Sequence, residues 1–513
     1  MTHPQAAAGT VPDLLGSGRD DAPVIAAPGR RPTSFAELRT LADRTAESLN
    51  ALGIGRNDRV AIVLPNGPAV ASAFVTIAAG ATTAPLNPSY RAEEYDFYLG
   101  DLDAKALVVE RGSASPAIAV AARRGVPVVE LVEDEATGAG LFRLEATGPT
   151  AGAARLPGRS EPDDIALVLH TSGTTSRPKI VPLTHRNVCA SARHIGETLS
   201  LEPDDVCLNV MPLFHIHGLV AAVLSSLAAG GSVVCTPGFN ALKFFGWLDE
   251  ARPTWYTAVP TMHQAILGRV DRNADAIARA RLRFVRSSSA SLPPQVMAAL
   301  EAAFRAPVIE SYGMTEASHQ MASNPLPPRP RKPGIVGIAA GPEIAIMDED
   351  GTILPQGAVG EVAIRGPGVT LGYEANPEAN AKAFVNGWFR TGDEGTLDEE
   401  GYLQLTGRLK ELIKRGGEQV SPLEVDGVLS EHPAVAQALT FSIPHPMLGE
   451  EVGAAVVLRE GMNCTERELR DFAAQRLADF KVPRKVVFLP EIPKGATGKL
   501  QRIGLAEKLG MSA

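Results

Sequence analysis

Cysteine is scarce here: four in 513 residues, at positions 189, 207, 235 and 464. Scattered this way, they exclude a disulfide framework and show no metal-ligand spacing. Buried free thiols in a reducing cytoplasm are the simple expectation. A basic surplus is also missing. Lys and Arg number 49 against 58 Asp and Glu, a net charge of -9, so no nucleic-acid partner is expected. Long apolar runs are absent too. The stretch 219–229 contains two serines and is too short to span a bilayer, so no integral membrane segment is expected. Met1 to Ala6 offers no basic region ahead of an apolar core, hence no signal peptide. Gly510 to Ala513 is not a peroxisomal address. What remains is 45% hydrophobic, a soluble globular composition, and too long for one core.

Apolar periodicity divides the chain. Residues 33–52 place Phe35, Leu38, Leu41, Ala42, Ala46 and Leu49 at helical spacing. Strands are expected at 59–64, 83–86, 106–109 and 127–131, with helices at 68–80 and 91–101. Such alternation implies parallel sheet covered on both faces. Residues 134–162, rich in Gly, Ala, Thr and Pro, read as a surface connection. The alternation resumes at Ile165. Polar clusters at 211–218, 288–291 and 310–316 are expected just past strand ends. In open α/β sheets that edge binds ligands. From about 335, short segments punctuated by Gly and Pro suggest a smaller antiparallel β unit. Beyond Arg408–Lys410 lies a compact α+β tail, with helix starts at Ser421-Pro422-Leu423-Glu424 and Thr465–Glu468. The fold class is therefore α/β. A large domain, 1–408, has mixed and parallel sheets layered with helices plus a β subdomain. A small α+β domain follows at 409–513.

The stretch His170-Thr171-Ser172-Gly173-Thr174-Thr175-Ser176-Arg177-Pro178-Lys179 follows the apolar run 165–169. Backbone N–H groups and hydroxyls of such a loop can wrap an anion, with Arg177 and Lys179 neutralising charge. A polyphosphate is the obvious ligand. No second Gly precedes Lys179, so this is not a Walker loop. Taken alone, a polar surface turn explains the stretch better. The rest of the chain reverses that preference.

Six motifs in order, between about residues 30 and 505, resemble the adenylate-forming superfamily. They are Thr171–Lys179, Phe214-His215, Ser311-Tyr312-Gly313-Met314-Thr315-Glu316, Arg390-Thr391-Gly392-Asp393, Gly407-Arg408-Leu409-Lys410 and Thr497-Gly498-Lys499. Ser176 stands where the family usually has Gly, which bears on the loop's detailed shape. The resemblance implies two half-reactions: a carboxylate attacks Mg-ATP to give an acyl-adenylate, and CoA then displaces AMP. No protein nucleophile is needed, which agrees with the absence of a Ser-His-Asp signature. By the same resemblance, Thr171, Ser172, Gly173, Thr174, Thr175 and Lys179 hold phosphates. Ser289, Ala290, Ser291, Glu310, Ser311, Tyr312, Gly313, Met314 and Thr315 surround the nucleotide. Asp393 and Arg408 serve the ribose end. Glu316 ligates Mg²⁺, a hard cation that prefers oxygen. Lys499, Glu316, Thr171 and His215 are the expected catalytic residues. Lys410 is the hinge of a mobile C-terminal domain, and Lys414, Gly416 and Gly417 meet CoA.

Lys410 and Gly416-Gly417 look like the acyl-CoA synthetase branch. Within it, Arg286–Leu292 and Thr315–Pro325 look like the oxalyl-CoA synthetase group. Oxalate is thus the favoured acid, with His215, His217, Ser289 and His319 around it. Malonate, medium-chain fatty acids and aromatic acids stay open, as does a non-catalytic nucleotide-binding protein. The expected partners are a small carboxylic acid, ATP and CoA, in a monomer or homodimer.

Overall fold

Residues 9–133, 136–148, 152–171, 178–495 and 499–511 are described by the computed structural model of this chain. Period-two alternation assigns strand side chains to faces, and that assignment builds the layers. In Arg59–Val63, Val60 and Ile62 enter one core, and Ala61 and Val63 another. In Trp255–Ala258, Trp255 faces the first core and Tyr256 a third. Two sheets therefore share a central core. Helices Phe35–Ala51 and Pro68–Ile77 fill it with Phe35, Leu38 and Phe74. Further helices cover the outer faces, through Tyr95 and Val120 on one side and Phe244 and Leu300 on the other.

The first sheet has seven strands. Val128–Glu133, Ala106–Glu110, Arg59–Val63, Thr82–Pro85 and β1 (Ile165–Thr171) run parallel. Antiparallel strands close both edges, Phe142–Ala146 and β2 (Lys179–Thr184). The surface connection expected at 134–162 is thus corrected. It carries the strand Phe142–Ala146, whose period-two signal rests on only Phe142, Leu144 and Ala146. Burial of Phe142 against the central core holds it there. β1 and β2 form a hairpin with Thr171 opposite Lys179. The anion-loop residues Ser172, Gly173, Thr174, Thr175, Ser176 and Arg177 lie outside the described residues. Helix α1 (His185–Thr198) starts after Thr184, which caps it as the sequence indicates.

The second sheet has nine strands. Its parallel part includes Val206–Asn209, β3 (Trp255–Ala258), β4 (Phe284–Ser287) and β5 (Val308–Met314). The expected helix after Met211–Gly218 begins as a π-helical segment, His217–Leu224. Such turns widen the helix and often occur at functional sites. The cluster 310–316 is not wholly past a strand end, as expected. β5 runs on to Met314 by changing partners. It pairs in parallel with β4 up to Glu310, then antiparallel with β6 (His319–Ser323) from Ser311. A Cβ at Gly313 would stand 1.7 Å from the His319 carbonyl oxygen, so only glycine permits this pairing.

A third, antiparallel sheet contains β7 (Trp388–Leu397) and β8 (Leu403–Arg408). A fourth, after residue 412, contains β9 (Ile413–Arg415) and β10 (Glu418–Val420). Ser421 and Thr465 cap the next two helices as their sequences require. No described helix is long and apolar enough to cross a membrane.

Candidate active site

The site lies where the C-terminal edge of the second sheet meets the β1–β2 hairpin, the third sheet and the Lys499 segment. Three groups of side chains compose it.

The first group centres on Asp393. Pairing of β7 with β8 sets Asp393 opposite Arg408. Arg408 Nε donates to Asp393 Oδ1 at 2.7 Å. Tyr312, on β5, donates its hydroxyl to Oδ2 at 2.5 Å. The Asp393 carboxylate raises the Arg408 pKa above its ordinary value. Burial, then the neighbouring Asp393 charge, raises that of Tyr312. Each carboxylate oxygen can accept more than one hydrogen bond. Asp393 therefore keeps capacity for two further hydroxyl donors.

The second group centres on Glu316, just past β5. It is buried and accepts from the Tyr373 hydroxyl at 2.8 Å. Burial raises its pKa, opposed by the Tyr373 bond and by Lys179 and Arg408. Lys179 Nζ stands 4.1 Å from the Tyr373 ring centroid. Burial lowers the Lys179 pKa, and Glu316 opposes that shift. Thr370 fastens the turn by donating its N–H to the Glu316 carbonyl at 2.7 Å and its hydroxyl to Pro182 at 2.8 Å. Tyr373 and Thr370 were not legible as site residues. They sit in a Gly-rich stretch with no catalytic spacing. No cluster of three His, Cys, Asp or Glu stands in metal-holding geometry among the described residues. Mg²⁺ usually takes only one or two carboxylates plus phosphate and water oxygens. One buried carboxylate with an oxygen to spare fits that demand.

The third group is a buried polar cluster beneath His215. His217 Nδ1 lies 3.0 Å from Ser289 Oγ, and Nε2 lies 2.6 Å from Thr257 Oγ1. The His217 and His319 rings are 5.0 Å apart. Arg286, Thr257 and Gln320 join them; none was expected as a site residue, although Arg286 and Gln320 lie in the two stretches that look like the oxalyl-CoA synthetase group. Ser289 at φ 74°, Ser318 at 51° and His319 at 99° all occupy the left-handed region without being glycine. Strain of this kind gathers at functional sites. Burial lowers the pKa of all three histidines, that of His215 to about 3. They are neutral at physiological pH.

Lys499 links the groups. Burial and the Arg408 charge bring its pKa down to about 8, while Asp393 acts the other way. Its charge in turn depresses His215, His217 and His319. The Gly495 N–H donates to the Lys499 carbonyl at 2.8 Å, beside the isolated bridge between Lys494 and Leu500.

Of the expected residues, Lys179, His215, His217, Ser289, Tyr312, Glu316, His319, Asp393, Arg408 and Lys499 enter these groups. Glu310 spends its side chain otherwise: Oε1 accepts the Leu292 N–H at 2.9 Å, and burial raises its pKa to about 8. Ser311 donates to the Ser287 carbonyl, and Ala290 and Ser291 are exposed in the loop after β4. Gly313, Met314 and Thr315 follow Tyr312 along the same edge. Lys414, Gly416 and Gly417 lie on the exposed β9–β10 hairpin, where Glu450 holds the Lys414 amide at 2.6 Å. It is Lys499 whose charge interacts with Asp393 and Arg408.

Residues 16–374 match the family described as AMP-binding enzyme, and 424–499 match the AMP-binding enzyme C-terminal domain. An oxalate–CoA ligase of Arabidopsis thaliana is 45% identical over 488 residues, covering 94% of each chain. An oxalate–CoA ligase of Saccharomyces cerevisiae is 43% identical over 485 residues, covering 89% of this chain and 88% of that one. The crystal structure of ATP-bound MatB from Rhodopseudomonas palustris superposes with a TM-score of 0.87 at 32% identity, covering 98% of both chains.

Proposed function

This chain belongs to the AMP-binding enzyme family, and from that premise we propose that it is an acid–CoA ligase whose acid is oxalate. The observation that carries this reading is Asp393 held by Arg408 and Tyr312, with the Lys499 charge acting both toward that pair and toward the His215 cluster. A cation there acts toward both a hydroxyl-accepting carboxylate and a polar pocket. That is where an acid and the α-phosphate of ATP must be joined.

In the first half-reaction an oxalate oxygen attacks the α-phosphorus of ATP. A P–O bond forms, and the bond to pyrophosphate breaks. Two anions must approach each other, so charge neutralisation and alignment dominate the barrier. Lys499 faces both reacting groups. Lys179 and Thr171 close the β1–β2 hairpin beside the polyphosphate. Asp393 accepts the ribose hydroxyls, held by Tyr312 and Arg408. Glu316 would hold Mg²⁺, which neutralises phosphate charge when bound. In the second half-reaction the CoA sulfur attacks the oxalyl carbonyl. A C–S bond forms, the C–O bond to AMP breaks, and the thiol proton leaves to solvent. The unit after Arg408 pivots at Lys410 to bring the β9–β10 hairpin, with Lys414, Gly416 and Gly417, toward CoA.

The buried cluster supports oxalate over a fatty acid. A dicarboxylate keeps one charge after activation, and burying that charge requires donors or a cation. Ser289, His215 and His319 can supply donors and Arg286 a nearby positive charge, whereas an acyl tail would need an apolar tunnel. The test is kcat/KM for oxalate, malonate, acetate and octanoate, followed as AMP release with ATP and CoA. Oxalate is expected to exceed each of the others by about 100-fold or more. A preference for octanoate would overturn the acid assignment.

A second expectation concerns the nucleotide. Tyr312→Phe removes one donor from Asp393. A hydrogen bond to a charged group contributes about 1.5–3 kcal/mol, so KM for ATP should rise about tenfold or more. Steady-state kinetics at saturating acid and CoA measure it. An unchanged KM would show that Asp393 needs no support from Tyr312.

A further inference from the structure

Resting on the ligase reading, we propose that Arg286 is a positioning residue for the acid. Through His217 it orients the Ser289 hydroxyl to donate toward the substrate carboxylate.

Arg286 is fully buried on β4. Among the described residues no carboxylate pairs with it, and its Nε has no partner. A buried charge left this way is costly unless another function retains it. Its neighbours indicate that function. Nη2 donates to Gln320 Oε1 at 3.2 Å. The Gln320 amide is oriented in turn, since its nitrogen donates to Thr198 Oγ1 at 3.2 Å and the Ala340 carbonyl at 3.0 Å. Nη1 faces His217 Nε2 at 3.5 Å.

A guanidinium only donates. A proton on His217 Nε2 would set donor against donor beside a cation. Nε2 is therefore the lone-pair nitrogen, and it accepts from the Thr257 hydroxyl at 2.6 Å. Nδ1 then carries the proton and donates it to Ser289 Oγ at 3.0 Å. With one lone pair occupied by His217, the Ser289 O–H points its own proton outward. Arg286, Thr257, His217 and Gln320 are all buried, whereas Ser289 is partly exposed. Its left-handed backbone, φ 74°, carries the hydroxyl to the end of the relay. A carboxylate accepts and never donates. A hydroxyl so oriented offers its proton to an acid.

The test is a double-mutant cycle on the whole enzyme, read as KM for oxalate and KM for ATP. Arg286→Met and Ser289→Ala should each raise KM for oxalate about tenfold, and Arg286→Met should leave KM for ATP within about twofold. The double variant should be no worse than either single one, because both cut the same relay. Arg286→Lys keeps the charge and should recover part of the loss. Independent, multiplying effects, or equal damage to both KM values by Arg286→Met, would overturn the proposal. Should Arg286→Met fail to fold, ¹⁵N-histidine NMR of the wild type decides, with the His217 signal assigned by His217→Gln. A proton on Nδ1 supports the relay, and a proton on Nε2 overturns it. If the wild type prefers another acid, oxalate is the part that fails and the cycle is read on that acid. If no acid yields AMP, the ligase reading fails, and the tautomer still decides the relay.

Discussion

Lys499→Ala is expected to slow acyl-adenylate formation by on the order of 10²–10³-fold. Thioester formation from preformed oxalyl-AMP and CoA should stay within about twofold of the wild type. The asymmetry follows from position. The Lys499 charge interacts with Asp393 and Arg408 and with His215, the groups that in the proposed reading surround the meeting point of the anionic acid and the α-phosphate. The second half-reaction cleaves an ester to AMP and brings in a neutral thiol, so that cation is less needed. Separate assays of pyrophosphate release and CoA ester formation measure the two steps. Equal loss in both would refute the assignment. The same lysine sets a pH dependence. Its pKa, brought down to about 8, means the ammonium is present below that pH and lost above it. In the adenylation half-reaction, kcat/KM for ATP should therefore fall as pH rises through about 8. His215, with a pKa near 3, contributes no limb near neutrality. Lys499→Arg should shift the descending limb upward, since guanidinium holds its proton well past that range.

Lys410→Pro should produce the opposite pattern. Lys410 lies in the turn between β8 and β9, two residues after Arg408. The turn is tied down: Leu409 N–H donates to the Gly392 carbonyl at 3.0 Å and Glu411 N–H to Arg408 at 2.7 Å. Rotation of the following unit must be absorbed by a few backbone angles here. Proline locks φ near -65° and removes an N–H. Adenylation, which uses the arrangement already seen, should persist. Thioester formation from preformed oxalyl-AMP should fall on the order of 10²-fold, since CoA and the carbonyl are no longer aligned. Full activity in both steps would place the pivot at another residue.

Much of this molecule was open to reading in one dimension. Period-two and helical spacing located the parallel strands, because each side chain's face follows from its own position in the chain. Thr184, Ser421 and Thr465 announce helix starts, since a cap is satisfied within three residues. The ordered motifs identified the family and pointed to Asp393, Arg408, Glu316 and Lys499, which carry chemistry in their own side chains. Tertiary structure decided the rest, where a residue's role is assigned by partners distant in sequence. Tyr373 reaches Glu316 across 57 positions, and Arg286 reaches His217 across 69. No local pattern encodes either contact. β5 continues through Gly313 because antiparallel β6 returns against it, which a strand cannot signal alone. Charge was decided there too. Burial and neighbouring cations make His215 neutral and bring Lys499 near 8, and neither environment exists until the chain folds.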